Sequence, residues 1–245
     1  MKGTEFGLQR GELAALAAAA HELKSPLALI QHLTHTLADS TVSLTDSEQA
    51  MYLDRLQFTS DRMLRLVQQL ATSYRLEDER QLAFAFTVEP LSMAEVCESA
   101  AHELSPFAQQ YNQQLHVQPA LHCGHLVVAN RDIVHDIVVN LVDNAIRHNP
   151  KGGVVDIGAE CRGEHVRLSV RDQGGGVSGK EFSHLRRTLG TQPQPLQGRS
   201  ATSGLGLYIA GQFAAAMGGS LGLGRASQGS HFFVDFIRSK QLSLL

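Results

Sequence analysis

The stretch Asn140-Leu141-Val142-Asp143-Asn144-Ala145-Ile146-Arg147-His148 decides how the second half of this chain is read. It closes a helical pattern that starts at Arg131. On that helix Asn140 and Asn144 stand one turn apart and Arg147 lies three residues further, so the three project from roughly the same face. Carboxamides on an otherwise apolar helix need a polar partner, because burying one unpaired costs about 1 to 3 kcal/mol. For an isolated pair of asparagines, capping or surface exposure is the plain alternative.

Working outward, Leu115 to Gln118, Leu126 to Ala129, Val154 to Cys161, Val166 to Val170, Ser220 to Leu223 and Phe232 to Ile237 read as strands. Helices separate them at Ser92 to Gln113, Arg131 to His148 and Gly204 to Met217. Some strands follow one another through hairpin connections, as at the turn near Arg162-Gly163. The pattern predicts an α/β sandwich with a mixed sheet covered on one face rather than a doubly wound sheet. The strand Val166 to Val170 leads into Asp172-Gln173-Gly174-Gly175-Gly176, where spaced glycines let the backbone turn tightly and approach a ligand, and the carboxylate can accept from an exocyclic amine. A second glycine pair, in Ser203-Gly204-Leu205-Gly206-Leu207, opens a helix whose unpaired N–H groups and dipole favour phosphate. Neither segment ends in the Gly-Lys-Ser/Thr of a P-loop or opens the strand-turn-helix of a dinucleotide fold.

Upstream, the alternating Phe-Ala-Phe-Thr-Val within Leu82 to Glu89 reads as a linker entering a strand and marks a domain boundary. Before it, apolar or small residues fall at Leu13, Leu16, Ala20, Leu23, Leu27, Ile30, Thr34 and Leu37, and again at Leu53, Leu56, Ser60, Met63, Val67, Leu70 and Tyr74. Spacings of three and four on both sides of a polar break predict an antiparallel helical hairpin. One hairpin leaves half of each seam wet, so two copies are expected to pair into a four-helix bundle, making the protein a homodimer. The fold class is therefore α+β: a hairpin over 8–80, then the sandwich over 84–240.

His21 lies one position past the seam residue Ala20, which sets its ring beside the core and facing solvent. An exposed imidazole is mostly uncharged near neutral pH and can act as a nucleophile. Glu22 can take the proton from one ring nitrogen, leaving the other free to attack, and Pro26 removes a helical N–H just beyond. A near copy, His102-Glu103-Leu104-Ser105-Pro106, lies in a helix begun by the capping-box pair Ser92 and Glu95 and continued by Val96, Ala100, Leu104 and Phe107. It lacks the lysine and a hairpin partner, so His102 is read as a surface residue.

Composition sets the outer bounds. The chain has 245 residues, 43% hydrophobic and 18% charged, enough to bury a core in two domains, and its net charge of -3 offers no basic surplus for nucleic acid. Cys97, Cys123 and Cys161 show neither disulfide-framework nor zinc spacing, and a reducing cytoplasm is expected. No apolar run approaches the roughly 18 to 20 residues that span a bilayer. The opening Met1-Lys2-Gly3-Thr4-Glu5-Phe6-Gly7 has the look of an added leader, so a sensing or membrane-anchoring region is expected to lie outside this piece.

In order and spacing, His21-Glu22-Leu23-Lys24-Ser25-Pro26 within a hairpin resembles the phosphoacceptor motif of bacterial sensor histidine kinases. The three later segments resemble the ATP-binding domain that those kinases share with Hsp90 chaperones, type II topoisomerases and MutL repair proteins. The resemblance implies that His21 is phosphorylated, that Glu22 accepts its proton and that Ser25 is the polar neighbour four positions on. It implies ATP and magnesium as cofactors, with Asn140 holding magnesium, Asn144 and Arg147 on phosphates, and His148 against adenine. Asp172 would bond the adenine amine; Gly174, Gly176, Gly204, Leu205 and Gly206 would wrap the nucleotide; and Thr188 to Ser203 would form a lid. The implied partner is the receiver domain of a response regulator. One departure stands out: such kinases usually carry a phenylalanine-rich segment before the lid, and only Phe182 remains here. The alternative reading is a nucleotide-binding interaction module of the same class without autokinase activity.

Overall fold

The computed structural model of the chain describes residues 10–77, 86–118, 126–149, 152–177, 179–191, 193 and 204–239. The chain divides into two compact units between Tyr74 and Arg75.

The first unit is the helical hairpin, with α1 at Arg10–Ala38 and α2 at Asp46–Glu77. The connection is held by local side-chain bonds. Asp39 Oδ1 accepts from the Thr41 N–H and hydroxyl at 2.9 and 2.6 Å. At the start of α2, Thr45 and Glu48 form a reciprocal capping box: the Thr45 N–H donates to Glu48 Oε2 at 2.9 Å, and the Glu48 N–H to Thr45 Oγ1 at 3.3 Å. Helix α1 continues through Pro26. Within this unit the buried positions are Ala15, Ala19 and Leu33 on α1 and Thr59, Gln69 and Ser73 on α2. This is a correction of phase: on α1 the inward face is turned by one residue from the expected seam. The seam residues Leu16, Leu27, Leu53, Val67 and Tyr74 are exposed, Leu16 by 55% and Tyr74 by 60%.

The second unit is a two-layer sandwich. Strands β1 (Glu89–Ser92) and β3 (Leu126–Ala129) form a small antiparallel ribbon. The main sheet has the order β2-β4-β5-β7-β6, with β2 at Gln113–Val117, β4 at Gly153–Arg162, β5 at His165–Arg171, β6 at Ser220–Gly224 and β7 at His231–Ile237. Only β2 and β4 run parallel; the other neighbours are antiparallel, so the sheet is mixed as expected. Period-two alternation buries Val155 and Ile157 of β4, Val166, Leu168 and Val170 of β5, and Phe232, Val234 and Phe236 of β7. Onto the sheet pack α3 (Met93–Gln110) against β2 and β4, α4 (Arg131–His148) against β4 and β5, and α6 (Leu205–Ala216) against β6. The alternate positions carry charge: Arg167 Nε and Nη2 donate to the Asp235 carboxylate at 2.7 and 2.6 Å, and the guanidinium lies 3.6 Å over the Phe233 ring.

Ser92 caps α3 as its box pattern predicts, and Val96, Ala100, Leu104 and Phe107 are buried while His102 is exposed. Helix α3 ends three residues short of the expected Gln113, because Asn112 takes a left-handed φ of 54° and turns the chain into β2. A further helix, α5 (Gly179–Thr188), occupies the segment around Phe182. Contrary to the reading of the cysteines, Cys161 is disulfide-bonded. Cys97 is a buried free thiol whose pKa burial pushes up to about 12. Among the described residues no helix is long and apolar enough to cross a membrane.

Candidate functional site

Helix α4 begins at Asn130, whose Oδ1 accepts from the Ile133 N–H at 3.0 Å and whose Nδ2 donates to the Thr87 carbonyl at 2.9 Å. Its buried face holds Ile133, Val134, Ile137, Val138, Leu141, Val142, Ala145 and Ile146. Among these apolar neighbours Asn140 is half-buried and Asn144 buried, and the Nδ2 atoms of both are buried with no hydrogen-bond partner among the described residues. Two orphan amide donors on one helical face cost about 1 to 3 kcal/mol each unless something outside the chain receives them.

Helices α4 and α6 pack side by side. The first turn of α6 passes Asn140: a Cβ on Gly206 would stand 3.7 Å from Asn140 Oδ1 and meet nothing nearer. The N-cap of α6 is Gly204, in the left-handed region at φ 72°, which has no side chain to cap the helix. Leu205, the first residue of α6, is fully buried.

Asp172 follows β5 and is 3% exposed. Its Oδ1 accepts from the Gly174 N–H at 2.8 Å and from the Ser230 N–H at 3.2 Å, while its own N–H donates to the Ser230 carbonyl at 3.0 Å. Glycine is required here for reasons internal to the protein. A Cβ on Gly174 would overlap the carbonyl oxygen of His148, and one on Gly229, at φ 71°, would overlap the carbonyl oxygen of Asp172. A Cβ on Gly176, at φ 68°, would come within 2.8 Å of the Gly229 carbonyl oxygen. The Asp172–Gly176 turn is thus wedged between the C-terminal end of α4 and the turn before β7.

The structure brings Asn140, Asn144, His148, Asp172, Gly174, Gly204 and Gly206 onto adjoining walls formed by α4, the turn after β5 and the start of α6. Arg147 shares their helix but is engaged elsewhere: its Nε donates to Asp143 Oδ2 at 3.0 Å, and its guanidinium lies 5.7 Å from the centre of the Phe107 ring. Of the expected lid, 188–191 and 193 are described and the rest lies outside the described residues. In the hairpin unit, His21 and Ser25 are exposed on α1 and Glu22 between them is half-buried. Among the described residues no three His, Cys, Asp or Glu side chains gather as a metal cluster.

Three residues at the site escaped the sequence reading. Gly229 and Ser230 carry no motif of their own, although a glycine just before a strand is a turn signal. Gln113 was placed at a helix end, yet it is buried on β2 and donates from Nε2 to the Ile146 and Asn149 carbonyls at 2.6 and 2.9 Å.

A hairpin exposing a histidine is thus followed by a sandwich in which two orphan carboxamides share α4, Asn140 beside the Gly206 turn at the start of α6. Residues 12–79 match the family model described as His Kinase A (phospho-acceptor) domain, and residues 129–240 match that described as Histidine kinase-, DNA gyrase B-, and HSP90-like ATPase. The chain belongs to the two-component sensor histidine kinases, of which it contains the catalytic region. It is 34% identical over 213 residues to Sensor protein QseC of Salmonella typhi, covering 86% of this chain and 44% of that protein. It is 31% identical over 226 residues to Sensor protein kinase PmrB of Pseudomonas aeruginosa, covering 91% of this chain and 44% of that one. The chain therefore spans less than half the length of these relatives. Its fold matches the Acinetobacter baumannii histidine kinase AdeS with a TM-score of 0.58 at 18% identity, over 90% of this chain and 98% of that one. It also matches histidine kinase ThkA, solved in complex with response regulator protein TrrA, with a TM-score of 0.60 at 17% identity, over 94% and 62% of the two chains.

Proposed function

We propose that this chain is the catalytic core of a sensor histidine kinase working on the cytoplasmic side of the full sensor. ATP bound by the domain of residues 84–240 phosphorylates His21 on the dimerisation hairpin of residues 8–80, and the phosphoryl group then passes to an aspartate of a response-regulator receiver domain. The observation that carries the reading is the pair of buried amide nitrogens, Nδ2 of Asn140 and of Asn144, without partners among the described residues, with Asn140 beside the Gly206 turn. Phosphate oxygens are the acceptors that such donors lack.

In this reading Asp172, already fixed by two backbone N–H groups, accepts from the adenine amine, and His148 lies against the ring. Backbone at Gly174, Gly176, Gly204, Leu205 and Gly206 lies close to the nucleotide. Asn144 contacts phosphates directly, and Arg147 does so once it releases Asp143. Magnesium fits the donors on hand: one carboxamide oxygen of Asn140, with phosphate oxygens and waters completing a shell that needs no carboxylate cluster. When bound, the ion neutralises charge on the phosphate oxygens. The unprotonated ring nitrogen of His21 attacks the γ-phosphorus, an N–P bond forms, the bond to the β–γ bridging oxygen breaks and ADP leaves. Glu22 takes the proton from the other ring nitrogen, and Ser25 is the polar neighbour one turn on. In the second step an aspartate oxygen of the receiver attacks phosphorus, the N–P bond breaks and the proton returns to the imidazole. Positioning and charge neutralisation supply the catalysis.

The homodimer rests on exposed apolar residues: the seam residues Leu16, Leu27, Leu53, Val67 and Tyr74, with Leu64 beside them, lie open on one hairpin, and a second copy of the same hairpin covers them.

Incubation with γ-labelled ATP tests the proposal. The protein should acquire an acid-labile, base-stable phosphate, and His21→Gln should lose it while still binding nucleotide. Label that persists and maps to His102 overturns the assignment. Nucleotide binding with no label on the unaltered protein favours the interaction module instead.

A further inference from the structure

The C-terminal end of α4 carries His148, the residue proposed to face adenine, and the carbonyls that flank it accept long backbone bonds, Ile146 from the Asn149 N–H at 3.4 Å and Asn149 from the Gly152 N–H at 3.2 Å. One side chain adds a shorter bond to each. Gln113, on the edge strand β2, is 3% exposed, and its Nε2 spends both hydrogens on this turn, one on the Ile146 carbonyl at 2.6 Å and one on the Asn149 carbonyl at 2.9 Å. The two acceptors bracket Arg147 and His148. The His148 carbonyl is itself the surface against which Gly174 is seated, so the position of this turn sets the position of the Asp172–Gly176 turn as well.

The other half of the same amide gains nothing: Gln113 Oε1 is buried with no partner among the described residues. A buried strand position beside a helix is ordinarily apolar, and an apolar side chain there would leave no orphan oxygen. Stability alone does not account for glutamine; the two donated bonds do. We infer that Gln113 is a positioning residue for nucleotide binding, a clamp from β2 that fixes the last turn of α4 and through it both walls of the adenine end of the site. The inference rests on the proposed nucleotide reading of that site.

Gln113→Met keeps length and volume and removes the donors; Gln113→Glu keeps the shape and offers only acceptors to two carbonyls. Thermal melting, titration with a fluorescent ATP analogue and autophosphorylation kinetics are to be run on the full chain. Q113M should melt at or above the unaltered protein, yet bind the analogue about tenfold more weakly, the scale on which outer supporting hydrogen bonds act. Q113E should bind more weakly still. KM for ATP should rise while the rate at saturating ATP stays within about twofold, and amide exchange at 147–149 should quicken in both variants. A folded Q113M with unchanged affinity and unchanged exchange overturns the inference, as does an affinity that falls only in step with melting temperature. If the unaltered protein binds no nucleotide, the reading of the site fails and this inference with it; if it binds and Q113M matches it, the clamp alone is wrong.

Discussion

Gly206→Ala separates the demands of folding from those of the ligand. At this position glycine is not needed by the chain. It is the second residue of α6, its φ is not in the left-handed region, and an added Cβ would make ordinary van der Waals contact with Asn140 Oδ1 at 3.7 Å. Alanine in a helix is better than glycine by about 0.5 to 1 kcal/mol. For a domain of this size that predicts a melting temperature raised by about 1 to 4 °C. The same methyl group, however, stands in the gap between the first turn of α6 and the Asn140 amide, where the nucleotide phosphates are proposed to lie. Displacing one charge-assisted hydrogen bond between a backbone N–H and phosphate costs about 1.5 to 3 kcal/mol, which corresponds to affinity weaker by about 10- to 100-fold. Melting curves without nucleotide, paired with a fluorescent-nucleotide titration, read both effects on one sample. A variant that melts as predicted and binds as tightly as the parent would refute the placement of phosphates at this turn.

Two further outcomes follow. Leu64→Glu places a carboxylate on an apolar residue beside the seam that is 59% exposed in one protomer, so light scattering should show the dimer shift to monomer while the nucleotide affinity of the second unit is unchanged. His231 is pushed down to about 4 by burial first and then by Arg171, Arg167 and Arg162. Its ordinary value is 6.5, so the unfolded chain takes up the proton before the native one does, and the contribution of the neutral ring is complete above that pH and lost as pH falls toward about 4. Denaturant melts across that window should show stability declining with acid, and His231→Gln should flatten that part of the profile.

The parts of this molecule that the sequence discloses are those where one local rule acts alone. Helix α4 is bounded as expected, at Arg131 and His148, because Asn130 offers a capping oxygen and the apolar period runs unbroken between. Strands β5 and β7 of the main sheet show period-two burial, and their positions follow from it. Where two rules compete, the reading slips. The hairpin carries apolar residues on adjoining stripes, so periodicity identifies two helices but not which stripe turns inward; on α1 the small residues Ala15 and Ala19 are buried and the larger Leu16 stays out. Gln113 was assigned to a helix because the left-handed turn at Asn112 leaves only one asparagine as its trace. Helix α5 has only two apolar residues in ten, Phe182 and Leu185, too few to set a helical period, although Ser178 and Glu181 stand at capping-box spacing. The site residues were legible as types, since carboxamides and glycines stand out against an apolar background. The pairing of Arg147 with Asp143 is an i, i+4 contact that spacing along the helix does show, whereas its place over Phe107 depends on α3, which that spacing does not show.

Asn144 carries the argument furthest, because its burden is visible without any ligand. The residue is 9% exposed on a helix whose neighbours are apolar, and its Nδ2 has no partner among the described residues. If the amide exists for a nucleotide, the empty domain bears its desolvation at a cost of about 1 to 3 kcal/mol, and a leucine of similar volume should recover part of that. Asn144→Leu should therefore melt about 2 to 6 °C above the parent in the absence of nucleotide. The parent should rise further as nucleotide is added, by RT ln(1 + [L]/Kd), about 2.7 kcal/mol at a hundredfold excess over Kd. The leucine variant should show almost no such rise, so the two melting curves cross as nucleotide is titrated in. A leucine variant that is destabilised at zero nucleotide would mean that the amide already has its partner within the protein, and a variant that keeps the full nucleotide response would mean that the helix face bearing Asn140 and Asn144 is not where phosphate is held.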